Sequence, residues 1–165
     1  MNYDKEKLKN AILYLAKNGG TDVGKKKLAK FLYFIDFTLY ERREKSLTKI
    51  EYEKQNYGPM PKSDIFYAEL AKLKKQGVID IRKPTEGDKL EKIIALREPD
   101  LDKFDEMEKE TLKQIAEQYR LENAGTLEKI AQSEPPYKMT QHGEIIPYHL
   151  AFYRNSFGEM DLNND

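Results

Sequence analysis

The chain has 165 residues, with 29 Lys and Arg against 29 Asp and Glu, so its formal net charge is zero although 35% of it is charged. There is no Cys, which excludes disulfide frameworks, thiolate metal sites and Cys nucleophiles and fits a reducing, cytoplasmic setting. Balanced charge argues against a dedicated polyanion binder, and a chain with only two Val and 39% apolar residues favours helices over a large buried sheet.

The N-terminus alternates Lys with apolar residues, unlike the apolar run of a signal peptide. Asp4–Lys17 is predicted helical, with Leu8, Ala11, Ile12 and Leu15 on one face and Gly19-Gly20 as the stop. Thr21 or Asp22 is then expected to cap a second helix to about Tyr40. Leu28, Phe31, Leu32, Ile35 and Leu39 form its stripe, widened by Tyr33, Phe34, Phe37 and Tyr40 until little polar surface is left. Such a helix belongs at the centre of the fold. The apolar stretch Leu28–Tyr40 is too short to span a bilayer and carries Lys30 and Asp36, so no membrane association is expected.

Ile50 and Tyr52, spaced by two, point to a short strand within Leu47–Gln55. Tyr57-Gly58-Pro59-Met60-Pro61 cannot be helical, because both prolines lack amide donors and push their predecessors toward extended geometry. It is predicted to form a rigid turn. Ser63 is expected to cap a helix to about Gln76, with Phe66, Leu70 and Leu73 inward and Gly77 at its end. Val78–Ile81 and Ile93–Leu96 flank a polar Gly-containing loop and predict a small antiparallel hairpin. Pro99-Asp100 is expected to open a long helix to about Tyr119, and Asn123–Ser133 a shorter one stopped by Pro135-Pro136. Tyr148–Tyr153 is a final short element. The fold class is therefore mainly α (α+β): a helical bundle around a central apolar helix with a small antiparallel sheet, as one domain over 1–155 and a frayed acidic tail over 156–165.

Catalytic signals are thin. His142 and His149 have no metal-type spacing to another strong ligand, and no phosphate-cradling Gly motif or nucleophile elbow is present. No enzyme activity, cofactor or metal is expected. Asp36, inside the most buried helix, needs a partner for its charge. Either it is a carboxylate bonded to a nearby Tyr or Lys, or it forms with Tyr33 and Tyr40 a polar-aromatic patch for a partner. Lys25, Lys26 and Lys27 oppose the macrodipole of their helix and are candidates for meeting an acidic partner. Two helices, a third after a turn and then a hairpin is also the order of a winged helix, with Lys72, Lys74 and Lys75 on the recognition helix. A DNA-binding regulator of a phage or mobile element is thus the alternative function, disfavoured by the neutral charge.

Two stretches together resemble a known family. Lys27-Leu28-Ala29-Lys30-Phe31-Leu32-Tyr33-Phe34-Ile35-Asp36 is similar to the opening helix of the Panacea domain, and Tyr57-Gly58-Pro59-Met60-Pro61 resembles its Tyr-Gly-Pro-Val-Pro turn about twenty residues on. A fainter likeness runs from Leu127 to Tyr137, where Gln132 stands for the family's usual His and Tyr137 for its usual Trp. The resemblance spans roughly 1–152. It implies a mainly helical bacterial or phage antitoxin of Soc type, which neutralises a cognate toxin protein by direct binding without catalysis. Tyr57, Gly58, Pro59 and Pro61 are the expected structural turn of that platform.

Overall fold

Every residue from Lys27 to Leu39 is buried, and this run forms the middle of α2 (Lys25–Arg43). In the computed structural model, which describes residues 2–85, 87 and 90–154, α2 is packed on several sides at once. The expected acidic tail over 156–165 lies outside the described residues. Helix α1 (Lys5–Asn18) lies against α2, capped by Asp4, whose side chain accepts from the Lys7 amide. On the other sides stand α4 (Glu106–Tyr119), α5 (Ala124–Ser133) and a 3-10 turn over Tyr148–Tyr153. Phe31, Leu32, Phe34, Ile35 and Phe37 are removed from water entirely, each contributing about 1.5–3 kcal/mol through burial.

Strands are few and short. β1 (Tyr52–Gln55) and β2 (Gly58–Pro61) form one antiparallel hairpin, in which Tyr52 faces Pro61 and Gln55 faces Gly58. β3 (Ile79–Arg82) and β4 (Lys92–Ala95) form a second, with Ile79 opposite Ala95. Between the two hairpins runs α3 (Ser63–Lys75). The architecture is mainly α with small antiparallel sheets, as expected, but two hairpins replace the anticipated one. The Tyr57–Pro61 stretch is accordingly not itself the turn. Asn56 and Tyr57 make the turn, and Gly58–Pro61 is a strand. Its prolines are tolerated because β2 is an edge: the other side of β1 is taken by the segment around Ile145, with Ile146 N–H donating to the Tyr52 carbonyl at 2.7 Å.

Four element ends differ from expectation, each for a local reason. Gly24, with no side-chain cap, precedes α2, because the Asp22 carboxylate is engaged by the Lys27 ammonium at 2.6 Å. Ser63 is the first residue of α3 rather than its cap, and its amide donates to Glu53. The helix expected from Pro99-Asp100 is split: Asp100 caps a 3-10 turn over Leu101–Lys103, and Asp105 starts α4 with a capping box to Glu108. Pro135-Pro136 do not only end α5. They open α6 (Pro135–Lys138), where a missing amide costs nothing in the first turn.

Candidate functional site

Asp36 is fully buried and fully engaged. Its carboxylate accepts from the Leu47 and Thr48 amides, both at 2.8 Å, from the Thr48 hydroxyl at 2.6 Å and from the Tyr52 hydroxyl at 2.5 Å. Burial pushes its pKa up, while those four donors pull it down. Tyr33 is equally buried, its hydroxyl donating to Glu134 at 2.8 Å, and Glu134 also accepts from Arg154 Nε at 3.0 Å. Tyr40 packs its ring on Tyr148 and Phe152, at 5.3 and 5.6 Å between centroids. Of the two readings of Asp36, the carboxylate bonded to a nearby Tyr is the one found, that Tyr being Tyr52. The polar-aromatic patch of Tyr33, Asp36 and Tyr40 is corrected, since Tyr33 and Asp36 lie inside the fold and fasten α2 to the 47–52 segment and the C-terminal segment.

One turn and a half earlier on α2, the arrangement is different. Lys30 is buried too, yet its ammonium has one hydrogen-bond acceptor among the described residues, the Pro59 carbonyl at 3.0 Å, and lies 5.6 Å from the Tyr57 ring centroid. Desolvation by burial lowers its pKa from 10.5 to about 8, the nearby Glu128 raising it and Lys26 lowering it further. Lys30 lines an open cleft of about 360 Å³, together with Lys25, Lys26, Ala29, Tyr57, Met60 and Tyr67. Tyr57 and Tyr67, 40% and 46% exposed, form its walls. Lys25 Nζ sits 5.6 Å over the Tyr67 ring and 3.4 Å from Glu91, and Lys26 Nζ is 2.7 Å from Glu128. These cross-element pairs, with Lys27 held by Asp22, offset the repulsion that three cations meet at a helix N-terminus.

Backbone geometry builds the cleft. Gly58 has φ +102°, a region a side chain rarely adopts, and a Cβ there would stand 2.9 Å from Lys30 Nζ. Only Gly leaves room for the ammonium to reach the Pro59 carbonyl. The turn before it is held from a third place in the chain: Gln132 Nε2 donates to the Asn56 carbonyl at 2.9 Å, and the Tyr137 hydroxyl donates to the Gln55 carbonyl at 2.6 Å. So the three stretches that carry the resemblance, far apart in sequence, meet at one hairpin turn.

Residues 28–138, more than half of the chain, match the family model described as Antitoxin SocA-like, Panacea domain. The chain belongs to this family. The matched span includes α2 from Leu28, both hairpins and α5, and so contains most of the cleft; Lys25 and Lys26 at its rim lie before it. No curated protein and no solved structure matches the chain.

Of the candidate partner-binding residues read from the sequence, Lys25 and Lys26 line the cleft, as does Tyr57 of the expected structural turn, with Gly58 and Pro59 directly behind. Lys30, Met60 and Tyr67 were not anticipated. The one signal for Lys30 was a cation inside the apolar stripe. Among the described residues, no group of three or more His, Asp or Glu is placed to hold a metal ion, and no helix is long and apolar enough to cross a membrane. His142 and His149 are both exposed.

Proposed function

We propose that this Panacea-family chain acts as an antitoxin by binding a toxin protein directly, without a catalytic step of its own. One observation carries this reading: the family's motif stretches converge on an open cleft walled by Tyr57, Met60 and Tyr67 over a buried lysine. Tyr and Met are the residue types enriched where protein partners bury an anchor. The cleft is also preordered, since Gly58, Pro59 and the bonds from Gln132 and Tyr137 set the turn beforehand, so little binding energy goes into ordering it. A neighbouring gene encoding a small toxic protein, as on a phage or mobile element, is expected.

Co-expression with that neighbour is the test. Restored growth together with co-purification of the two proteins supports direct neutralisation, whereas unrelieved toxicity at equal expression refutes it. The winged-helix alternative retains one specific observation, α1, α2 and α3 followed by the β3–β4 hairpin, with Lys72, Lys74 and Lys75 exposed on α3, although the β1–β2 hairpin stands between α2 and α3. A gel shift on the chain's own upstream DNA across a salt series separates the two, because a DNA contact weakens steeply with salt.

A further inference from the structure

We infer that the Lys30 cleft receives a single carboxylate side chain from an acidic segment of the toxin, seated between Tyr57 and Tyr67. The identity of the partner rests on the antitoxin reading above; the chemistry of the cleft stands on its own geometry. A lysine ammonium carries three donors. In Lys30 one is used by the Pro59 carbonyl and the Tyr57 ring covers a second direction. The side chain lines the cavity floor but is fully covered, so a carboxylate reaches the third donor once the exposed Tyr57 ring moves aside.

Charge inventory selects the ligand. Lys25 and Lys26 are already paired with Glu91 and Glu128, whereas Lys30 has no ion pair among the described residues. Three lysines at the cleft against Glu91 and Glu128 leave one positive charge, which one carboxylate matches. A nucleic-acid backbone draws on several free cations, which this cleft does not offer. Size agrees: about 360 Å³ is at the small end of ligand pockets, enough for a side chain and its neighbour rather than a helix. Ala29, Met60 and the two Tyr rings provide apolar cover for the methylene stem, and in that partly dry setting a charge-assisted bond is stronger than in water. Burial lowers the Lys30 pKa even though the nearby Glu128 raises it.

The test is an NMR titration of the full chain with four probes: acetyl-Leu-Glu-Leu-amide, its Gln counterpart, inorganic phosphate and a short DNA duplex. The Glu peptide is expected to shift Lys30, Tyr57, Gly58 and Tyr67 resonances and to bind at least about ten-fold more tightly than the Gln peptide. Equal binding of the two peptides, or no shift with either, overturns the inference. So does phosphate or DNA moving the same resonances as strongly as the Glu peptide, which would make this a phosphate site. Lys30→Met should abolish the Glu preference. Should that variant not fold, Tyr67→Ala, at an exposed wall, must weaken the Glu peptide with an unchanged melting temperature. Co-expression keeps the two proposals apart. If wild type fails to relieve toxicity while the Glu peptide binds as described, the antitoxin reading falls and the carboxylate site stands. If both variants relieve toxicity as well as wild type, the cleft is not where the toxin's acid docks, and the inference falls while the reading survives.

Discussion

Helix α2 buries two opposite charges, Lys30 and Asp36, and treats them differently. Asp36 is met by four donors from Leu47, Thr48 and Tyr52, all drawn from the loop and strand that follow the helix. Lys30 has one acceptor and an aromatic ring, and borders an open cavity. A buried charge with all its bonds made within the chain has nothing left to offer a ligand; it fastens the fold. A buried charge with bonds to spare is costly to keep, and the fold tolerates it beside an opening where a partner can complete it. On the carboxylate site proposed above, the group a partner meets is the lysine rather than Asp36, whose bonds are all made within the chain.

The strongest way to break this contrast is Asp36→Ala. It strands two amides and two hydroxyls inside the protein, and about 3–5 kcal/mol of stability should be lost in urea denaturation. A loss under about 1 kcal/mol would show that water satisfies the pocket and that Asp36 is not a fastener.

Lys30→Met should act in the opposite sense, and pH reveals it. The folded Lys30 pKa is about 8 against 10.5 for an ordinary lysine, so between those values the unfolded chain holds a proton that the folded one has released. Stability therefore rises with pH across that window. Above pH 10 the buried phenols of Tyr33, Tyr52 and Tyr148, all raised well above the ordinary 10.0, reverse the trend, because unfolding then releases their protons. Between pH 8 and 10 wild type should gain about 2 kcal/mol relative to Lys30→Met. Denaturation midpoints of the two proteins that run parallel over this range would mean Lys30 is not desolvated.

How far the sequence reached is seen in the same elements. Periodicity located α1, α3 and α5, since the apolar spacing lies within the element it defines, and Asp4 and Asn123 cap the first and last of these. The start of α4 at Asp105 rather than at Pro99-Asp100 was not legible locally; it rests on Glu108, which completes the capping box and also binds Lys7 and Arg43 from α1 and α2. The β1–β2 hairpin was hidden because proline argues against a strand, and what permits it is that β2 is an edge, residues 143–146 pairing on the far side of β1 instead. For the site, the burial of Asp36 was legible from its neighbours, but its four donors come from 11 to 16 residues downstream. The burial of Lys30 was not legible, since lysines usually extend their heads to water; the hairpin that closes over it is 29 residues away.

Smaller perturbations of the turn sharpen the contrast from the cleft side. Gly58→Val forces a branched side chain into positive φ and against Lys30 Nζ, so about 1–3 kcal/mol should be lost, with Lys30 displaced from the Pro59 carbonyl. An unchanged melting temperature would show that the turn relaxes freely and that Gly58 has no special place.

Tyr137→Phe is the mildest and in one respect the most discriminating change. It removes the hydroxyl that donates to the Gln55 carbonyl at 2.6 Å and leaves the ring, over which Lys54 Nζ stands at 4.3 Å. About 1 kcal/mol is the expected cost, the net worth of one hydrogen bond. Because the turn it steadies contributes Tyr57 to the cleft but nothing to the Asp36 cluster, the loss should surface in amide exchange at Asn56, Tyr57 and Gly58 while Leu47 and Thr48 stay protected. Faster exchange at both places would mean that the two buried charges belong to one cooperative unit, and that the cleft cannot be tuned without loosening the fastener beneath it.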